Sequence, residues 1–314
     1  MSNDHSDWVH FHASGQRNPH FGEVQYRILN DGRKEVKLII KPSEGLGFEL
    51  ACAALAIDGS RSMMPLFGAH LPPFLRKANN KMQHTINALA SFLAKNAQGK
   101  IAMTYWACGA DGGEIEPIGM LNINDLDSQV FGGPANWGGG TQITPIVRFF
   151  WESVFSTITG QSFALIITDG AWGDEDQASL IELTDLMCNE IAAGNRHPVK
   201  FVILALETEK NRGDIEQIQA RFTALDDYEH PTGIDIWDHK WEKELEETTD
   251  LFVEMVQENY LNCPGRVVAD GVECFESDNL KFGLEFILPA TAKGFTLQLM
   301  ISDEPLEMYQ SLEV

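Results

Sequence analysis

Three short stretches of this chain are apolar almost without interruption: Phe48–Ile57 (FELACAALAI), Phe163–Thr168 (FALIIT) and Val199–Leu206 (VKFVILAL). A strand with one wet face alternates apolar and polar side chains, so runs this continuous read as strands covered on both faces. The segments between them carry the helical period. From Lys81 to Ala97, Ile86, Leu89, Phe92 and Leu93 recur at helical spacing, and Gly99 punctuates the end. Glu175 to Ala193 reads as a second helix. Trp241 to Tyr260 reads as a third, acidic and amphipathic, with Leu245, Phe252, Val253 and Val256 on one face. Thr144 is a candidate N-cap, with Pro145 at the first helical position. Ile101–Cys108 and Ile115–Ile123 read as strands, the second antiparallel at a sheet edge, and Ile234–Trp237 as a short strand. Strands alternating with helices imply an α/β fold: a Rossmann-like, doubly wound, mainly parallel sheet, here over residues 45–262.

The two ends of the chain carry a different pattern. Residues 1–44 begin with a polar, His-bearing lead, expected to be poorly ordered, in which the His10 and His12 pair reads as incidental. A hairpin follows, in which Val24, Tyr26 and Ile28 alternate with polar residues, as do Val36, Leu38 and Ile40, across Asn30-Asp31-Gly32. Residues 263–314 return to alternation, through Phe282, Leu284, Phe286 and Leu288 and then Phe295, Leu297, Leu299 and Ile301. An isolated hairpin is marginal in water, so the two ends are expected to pair in one small β-subdomain.

Composition narrows the partners. Acidic residues outnumber basic ones 46 to 23, for a net charge of −23. Such a surface repels phosphate backbones and anionic membranes and favours cations. The densest basic stretch, Arg76 to Lys81, reads as part of a helix rather than a nucleic-acid patch. No apolar run approaches the ~20 residues of a membrane span. The N-terminal residues lack the pattern of a secretory signal. Five cysteines in no C-x-x-C pair suit a reducing, cytoplasmic compartment. Cys52 and Cys108 read as core residues, and Cys263 and Cys274 as free thiols rather than a bridge or metal pair.

The residues that carry chemistry sit where the apolar runs end. The first runs into Asp58-Gly59-Ser60-Arg61-Ser62, and FALIIT ends in Asp169-Gly170. A glycine-rich loop, Gly132 to Gly140, delivers Thr141. Ligands of open α/β sheets bind beyond the carboxyl ends of the strands. Two carboxylates and three hydroxyls are hard oxygen donors, suited to a small divalent cation.

These motifs resemble those of the von Willebrand factor A (vWA) domain family, whose metal-ion-dependent adhesion site combines Asp-x-Ser-x-Ser after the first strand, a Thr in a glycine-rich loop and an Asp after the fourth strand. Asp58, Ser60, Ser62, Thr141 and Asp169 match all five positions in order, and the resemblance extends from about residue 46 to 262. It implies that Ser60, Ser62 and Thr141 ligate Mg²⁺ (or Mn²⁺ or Ca²⁺), that Asp58 and Asp169 do so directly or through water, and that a partner's acidic side chain completes the shell. Arg61 stands where many members carry Gly; it either steers an acidic partner group or pairs with a surface carboxylate. Trp137 and Trp172 flank the site, either as exposed binding anchors or as inward braces. The Gly138–Thr141 and SFALIITDG segments look most like bacterial vWA proteins of tellurium-resistance and stress gene clusters. The function implied is a cytoplasmic, metal-dependent protein-binding module. The alternative is a substrate adaptor for a MoxR- or chelatase-type AAA+ ATPase. An enzyme is not expected: H-E-x-x-H, G-x-S-x-G and a P-loop lysine are all missing.

Overall fold

The computed structural model describes residues 8–11, 17–41, 50–170, 172–208, 211, 213–244, 263–278, 280–301 and 305–313. The chain divides into two compact units, Glu49–Thr248 and the pair of terminal segments Met1–Phe48 and Thr249–Val314. The terminal unit opens with β1 (Val9–His10), β2 (Phe21–Ile28) and β3 (Lys34–Ile40). The larger unit runs β4 (Cys52–Asp58), α1 (Pro73–Arg76), α2 (Met82–Lys95), β5 (Lys100–Cys108), β6 (Glu114–Asn122), α3 (Ile123–Leu126) and α4 (Thr144–Phe149). It continues with β7 (Ser162–Thr168), α5 (Asp174–Ala192), β8 (Val199–Ala205), α6 (Ile215–Asp226) and β9 (Trp237–Trp241). The terminal unit resumes with β10 (Gly265–Ala269), β11 (Val272–Ser277), β12 (Gly283–Leu288), β13 (Gly294–Leu299) and β14 (Leu306–Ser311).

The larger unit is a six-stranded sheet in the order β6-β5-β4-β7-β8-β9. Every pair is parallel except β5 with β6. All residues of β4, β7 and β8 are buried, as their uninterrupted apolar sequences require. The expected edge strand is β6, where Pro117, lacking an N–H, is tolerated opposite Thr104. Helix α2 turns Met82, Ile86, Leu89, Ala90, Leu93 and Ala94 inward, the one-sided pattern read from its sequence.

Several local expectations are corrected. Thr144 is the first residue of α4 rather than its cap. The Asp176 carboxylate, from the first turn of α5, accepts the amides of Ile143 (2.6 Å) and Thr144 (3.3 Å), and the Thr144 hydroxyl donates to the Asp176 carbonyl (3.0 Å). The short strand begins at Trp237 rather than Ile234, because Asp235 turns the chain by accepting the Trp237 amide (3.0 Å) and the Lys200 ammonium (2.7 Å). Trp241 closes that strand and Glu242–Glu244 form a 3-10 turn; the rest of the expected helix to Tyr260 lies outside the described residues. Helix α6 was not anticipated; it buries only Ile218, Phe222 and Leu225.

The terminal unit holds two antiparallel sheets, β1-β2-β3-β12 and β11-β10-β13-β14. The N-terminal hairpin is completed by β12, which pairs with β3 through Leu284–Leu38 and Phe286–Val36. Aromatic rings join the sheets: Phe21 on Phe295 (6.1 Å), and Phe286 on Phe295 (5.1 Å) and Phe275 (6.5 Å). Gly32 makes the hairpin turn at φ +83°, a conformation open to glycine. The lead is not wholly structureless. Val9–His10 pairs with β2 and Phe11 is buried against Tyr26, while His12 lies outside the described residues. All five cysteines are free thiols. Among the described residues no helix is long and apolar enough to cross a membrane.

Because Asp176 satisfies the otherwise unpaired amides at the start of α4, Asp176→Ala is expected to cost about 1 kcal/mol, of the size measured for lost helix caps. Urea unfolding of the two proteins measures the difference.

Candidate metal centre

Strands β4 and β7 are neighbours at the point where strand order reverses: the chain leaves β4 toward β5 on one side and β7 toward β8 on the other. Their outgoing loops diverge and leave a crevice between them. Asp58 is the last residue of β4, and Asp169 follows the last residue of β7.

Asp58 is fully buried. Its Oδ1 accepts the Ser60 amide at 2.7 Å and its Oδ2 accepts the Thr168 hydroxyl at 2.6 Å. The Ser60 and Ser62 hydroxyls are 2.7 Å apart, and Ser62 donates to Asp169 Oδ1 at 2.7 Å. With its one proton committed to Asp169, Ser62 accepts from Ser60, so the two serines form a directed relay toward Asp169. Asp169 is in turn anchored from the loop after β8. Its Oδ2 accepts the Thr208 hydroxyl at 3.2 Å, and its carbonyl accepts Asn211 Nδ2 at 2.7 Å. Asn211 also bonds the Leu206 carbonyl and receives the Thr208 amide. Thr141 Oγ1 lies 3.7 Å from the point a Cβ on Gly170 would occupy, which sets this hydroxyl near Gly170. Hydrogen bonds thus link Asp58 to Ser60 and Ser60 through Ser62 to Asp169, while Thr141 is placed near Gly170.

Burial, and secondarily the Asp169 charge, raise the Asp58 pKa to about 6 against the lowering effect of the Thr168 and Ser60 bonds. Two carboxylates, one without solvent, meet the hydroxyls of Ser60 and Ser62, and every one of these polar groups is an oxygen donor. That donor chemistry fits a small hard divalent cation, whose charge would offset the mutual repulsion.

The glycine-rich loop is held by close backbone approach. The Gly138 amide donates to the Gly59 carbonyl (2.9 Å) and its carbonyl accepts the Arg61 amide (3.0 Å). A Cβ on Gly138, Gly139 or Gly140 would lie 1.8, 2.3 or 2.7 Å from the carbonyl oxygens of Ala107, Ala110 or Asp111. Three consecutive glycines therefore let one loop lie flat on another, and this places Thr141.

The flanking residues divide. Arg61 is exposed and has no ion pair among the described residues, so the surface-paired alternative is not found. Trp137 is half-buried with its ring against Phe67 (5.5 Å). Trp172 is corrected: only 3% exposed, it stacks on Phe222 (5.5 Å) and donates to Gln177, so it braces its loop and is not a protruding anchor. It forms part of the wall of a cleft of about 460 Å³ that Ser62, Asp169, Asn211 and Arg221 also line. The acidic Asp226–His230 run is a bonded corner. Asp226 holds His239 (2.9 Å), Tyr228 donates to Asp185 (2.6 Å) and His230 is buried.

Sequence reasoning missed Thr168, Thr208 and Asn211. Thr168 carried a signal, a hydroxyl directly before Asp169 at the end of a buried strand; Thr208 and Asn211 carried none.

No protein-family model matches the chain, and no curated protein matches it. Among solved structures, it is similar to the pilus adhesin SpaC of Lactobacillus rhamnosus GG in its open conformation: 10% identity, 98% of this chain and 49% of the adhesin covered, TM-score 0.40. The chain thus spans about half the length of that adhesin. It is similar to the SpRpn10 VWA domain, at 9% identity over 64% of this chain and 93% of that one, TM-score 0.35. It is also similar to proximal thread matrix protein 1 from the mussel byssus, solved with a zinc-occupied MIDAS motif: 14% identity, 71% and 50% covered, TM-score 0.35.

Two substitutions test the architecture of the centre. Thr168→Val keeps the shape but removes the donor to buried Asp58, and is expected to cost about 1–3 kcal/mol in urea unfolding. Gly138→Ala forces a Cβ into the Ala107 carbonyl and is expected to cost about 1–3 kcal/mol or more. Gly132→Ala, where a Cβ meets nothing within 4 Å, is expected to stay within about 0.5 kcal/mol of the parent.

Proposed function

We propose that the larger unit is a metal-dependent protein-interaction module of the vWA type. In this reading Ser60, Ser62 and Thr141, with Asp58 and Asp169, hold a divalent cation, Mg²⁺ in the first instance, with Mn²⁺ or Ca²⁺ suited to the same oxygens. The observation that carries it is the relay from Ser60 through Ser62 to Asp169, set over the buried Asp58 at the reversal of the sheet. A bound cation supplies a positive centre that receives an Asp or Glu oxygen from a partner protein.

The chain's own residues do the rest. Thr168 and the Ser60 amide fix the Asp58 carboxylate, so the serine hydroxyls are oriented before any ion arrives. Thr208 and Asn211 hold Asp169 against the repulsion from Asp58. Arg61, exposed between the two serines, attracts the partner's carboxylate and excludes basic groups. Trp137 offers a half-exposed ring beside the glycine loop. A cytoplasmic setting is proposed from the free thiols. The tellurium-resistance and stress affiliation, and the AAA+ adaptor role, rest on the sequence resemblance alone. No catalytic role is proposed.

Titration calorimetry of metal-stripped protein with Mg²⁺, Mn²⁺ and Ca²⁺ tests the centre. Saturable binding is expected in the parent protein and is expected to be lost in both Asp58→Ala and Asp169→Ala. Binding that survives both substitutions would place the ion elsewhere, and no binding of any of the three ions would sink the reading.

A further inference from the structure

Between Gly59 and Ala110 the sequence contains no Asp or Glu, although the chain as a whole has 46. The same segment carries Arg61, Arg76, Lys77, Lys81, Lys95 and Lys100. The remainder of the chain is left with 17 basic residues against 46 acidic ones. All six basic residues of the segment are exposed. A strongly acidic protein thus keeps one continuous stretch free of negative charge, and that stretch begins at the serines of the metal centre.

The structure makes the first part of this stretch a single folded piece. The Met63 amide bonds the Ser60 carbonyl (3.1 Å) and the Lys81 amide bonds the Leu66 carbonyl (2.8 Å). Gly68, at φ +64°, lets the carbonyls of Arg76 and Asn79 come to 3.1 and 3.2 Å from where its Cβ would be. Phe67 packs edge-on against Tyr105 (6.2 Å) and Trp137 (5.5 Å), which ties the piece to the glycine loop. Its outer side is apolar as well as basic: Phe74 is 81% exposed and Leu75 41%, directly before Arg76 and Lys77. Val130, 63% exposed, lies alongside, since Asn80 bonds the Phe131 carbonyl (2.7 Å). Scattered exposed apolar residues are ordinary, but a phenylalanine this bare beside a second apolar side chain and three cations is a surface shaped for contact.

We propose that this basic and apolar face is a docking surface for an acidic, amphipathic segment of a partner protein, with carboxylates set against Arg76, Lys77 and Lys81 and an apolar side chain covering Phe74 and Leu75. The face stands on its own charge and apolar area and does not depend on the metal reading. Charge complementarity favours a short protein segment over the other polyanions. A nucleic-acid strand or an anionic bilayer carries charge past the edge of the island, onto a surface where acidic residues dominate. A peptide segment can confine its charges to the island. With a Debye length of about 8 Å at physiological ionic strength, the local cations decide the attraction and the distant acidic surface is screened.

The test is fluorescence anisotropy of the full chain with a fluorescein-labelled peptide of repeated Glu-Glu-Leu-Glu units. The peptide is expected to bind, and to bind less as salt rises. Arg76→Glu/Lys77→Glu/Lys81→Glu is expected to weaken it by at least about tenfold, a change of about 1.4 kcal/mol. Phe74→Ser is expected to weaken it by roughly tenfold through the lost apolar cover. The titration is run in EDTA, which keeps divalent ions from the metal centre, and binding is expected to persist there, so failure of the metal centre and failure of this face are read separately. If the triple variant does not fold by circular dichroism, Lys77→Glu against Lys77→Arg carries the same comparison. Unchanged binding in the charge-reversed variant overturns the proposal. So does tighter binding of single-stranded DNA or phosphatidylserine vesicles than of the peptide. Concentration-dependent self-association that charge reversal abolishes would assign the face to a second copy of the chain instead.

Discussion

The hydrogen bond from Thr168 to Asp58 joins the ends of two adjacent strands inside the protein, and the centre is built outward from it. A carboxylate with no solvent contact is tenable only where donors point at it. Asp58 has two, the Thr168 hydroxyl at 2.6 Å and the Ser60 amide at 2.7 Å. The second bends the chain immediately after β4, so the next two serines turn toward Asp169 instead of continuing along the strand direction. Thr168 also accepts the Gly170 amide (3.1 Å), which shapes the turn on the other side of the crevice. One hydroxyl thus sets the geometry of both outgoing loops.

What results is a set of oxygen donors already held in place by the fold. Each hydroxyl in the relay from Ser60 to Asp169 spends a proton on its neighbour and retains lone pairs. A cation can use those lone pairs with little rearrangement, which lowers the ordering cost of binding. The charge balance points the same way. Burial and the neighbouring Asp169 raise the Asp58 pKa to about 6, so a proton or a cation beside the two carboxylates relieves their repulsion.

The sequence made much of this legible because burial and chemistry coincide in it. Continuous apolar runs marked β4, β7 and β8, and the residues just past two of them were the carboxylates, as the geometry of a doubly wound sheet demands. The glycine run was visible, but its reason was not. Gly138, Gly139 and Gly140 are needed because they lie on the carbonyls of Ala107, Ala110 and Asp111, a loop about thirty residues earlier whose position only the folded sheet defines. Thr208 and Asn211 were invisible for a related reason: they reach Asp169 from the loop after β8 with no local pattern to announce them. Trp172 was left open between anchor and brace because a tryptophan beside a site looks the same in sequence whether it faces solvent or Phe222. Helix α6 escaped because only three of its residues are buried, too few to make a period stand out.

Charge places a further demand on any partner. The chain as a whole is net −23, which draws metal ions in but opposes the approach of the acidic group that would complete their coordination. Those two requirements conflict if acidic residues are spread evenly. They are reconciled if the surface next to the site carries none, because screening makes each short stretch of surface count for itself. The exposed part of the segment from Gly59 to Ala110 supplies a stretch of that kind on one side of the site, while Asp214 lines the cleft beside Asp169 on another. The segment begins between Asp58 and the serines, carries Arg61 within the motif, and leads through an ordered loop to Phe74, Arg76 and Lys77. Cation attraction thus belongs to the whole protein and anion attraction to one part of it, which is the distribution a site needs if it must hold a metal and then accept a carboxylate.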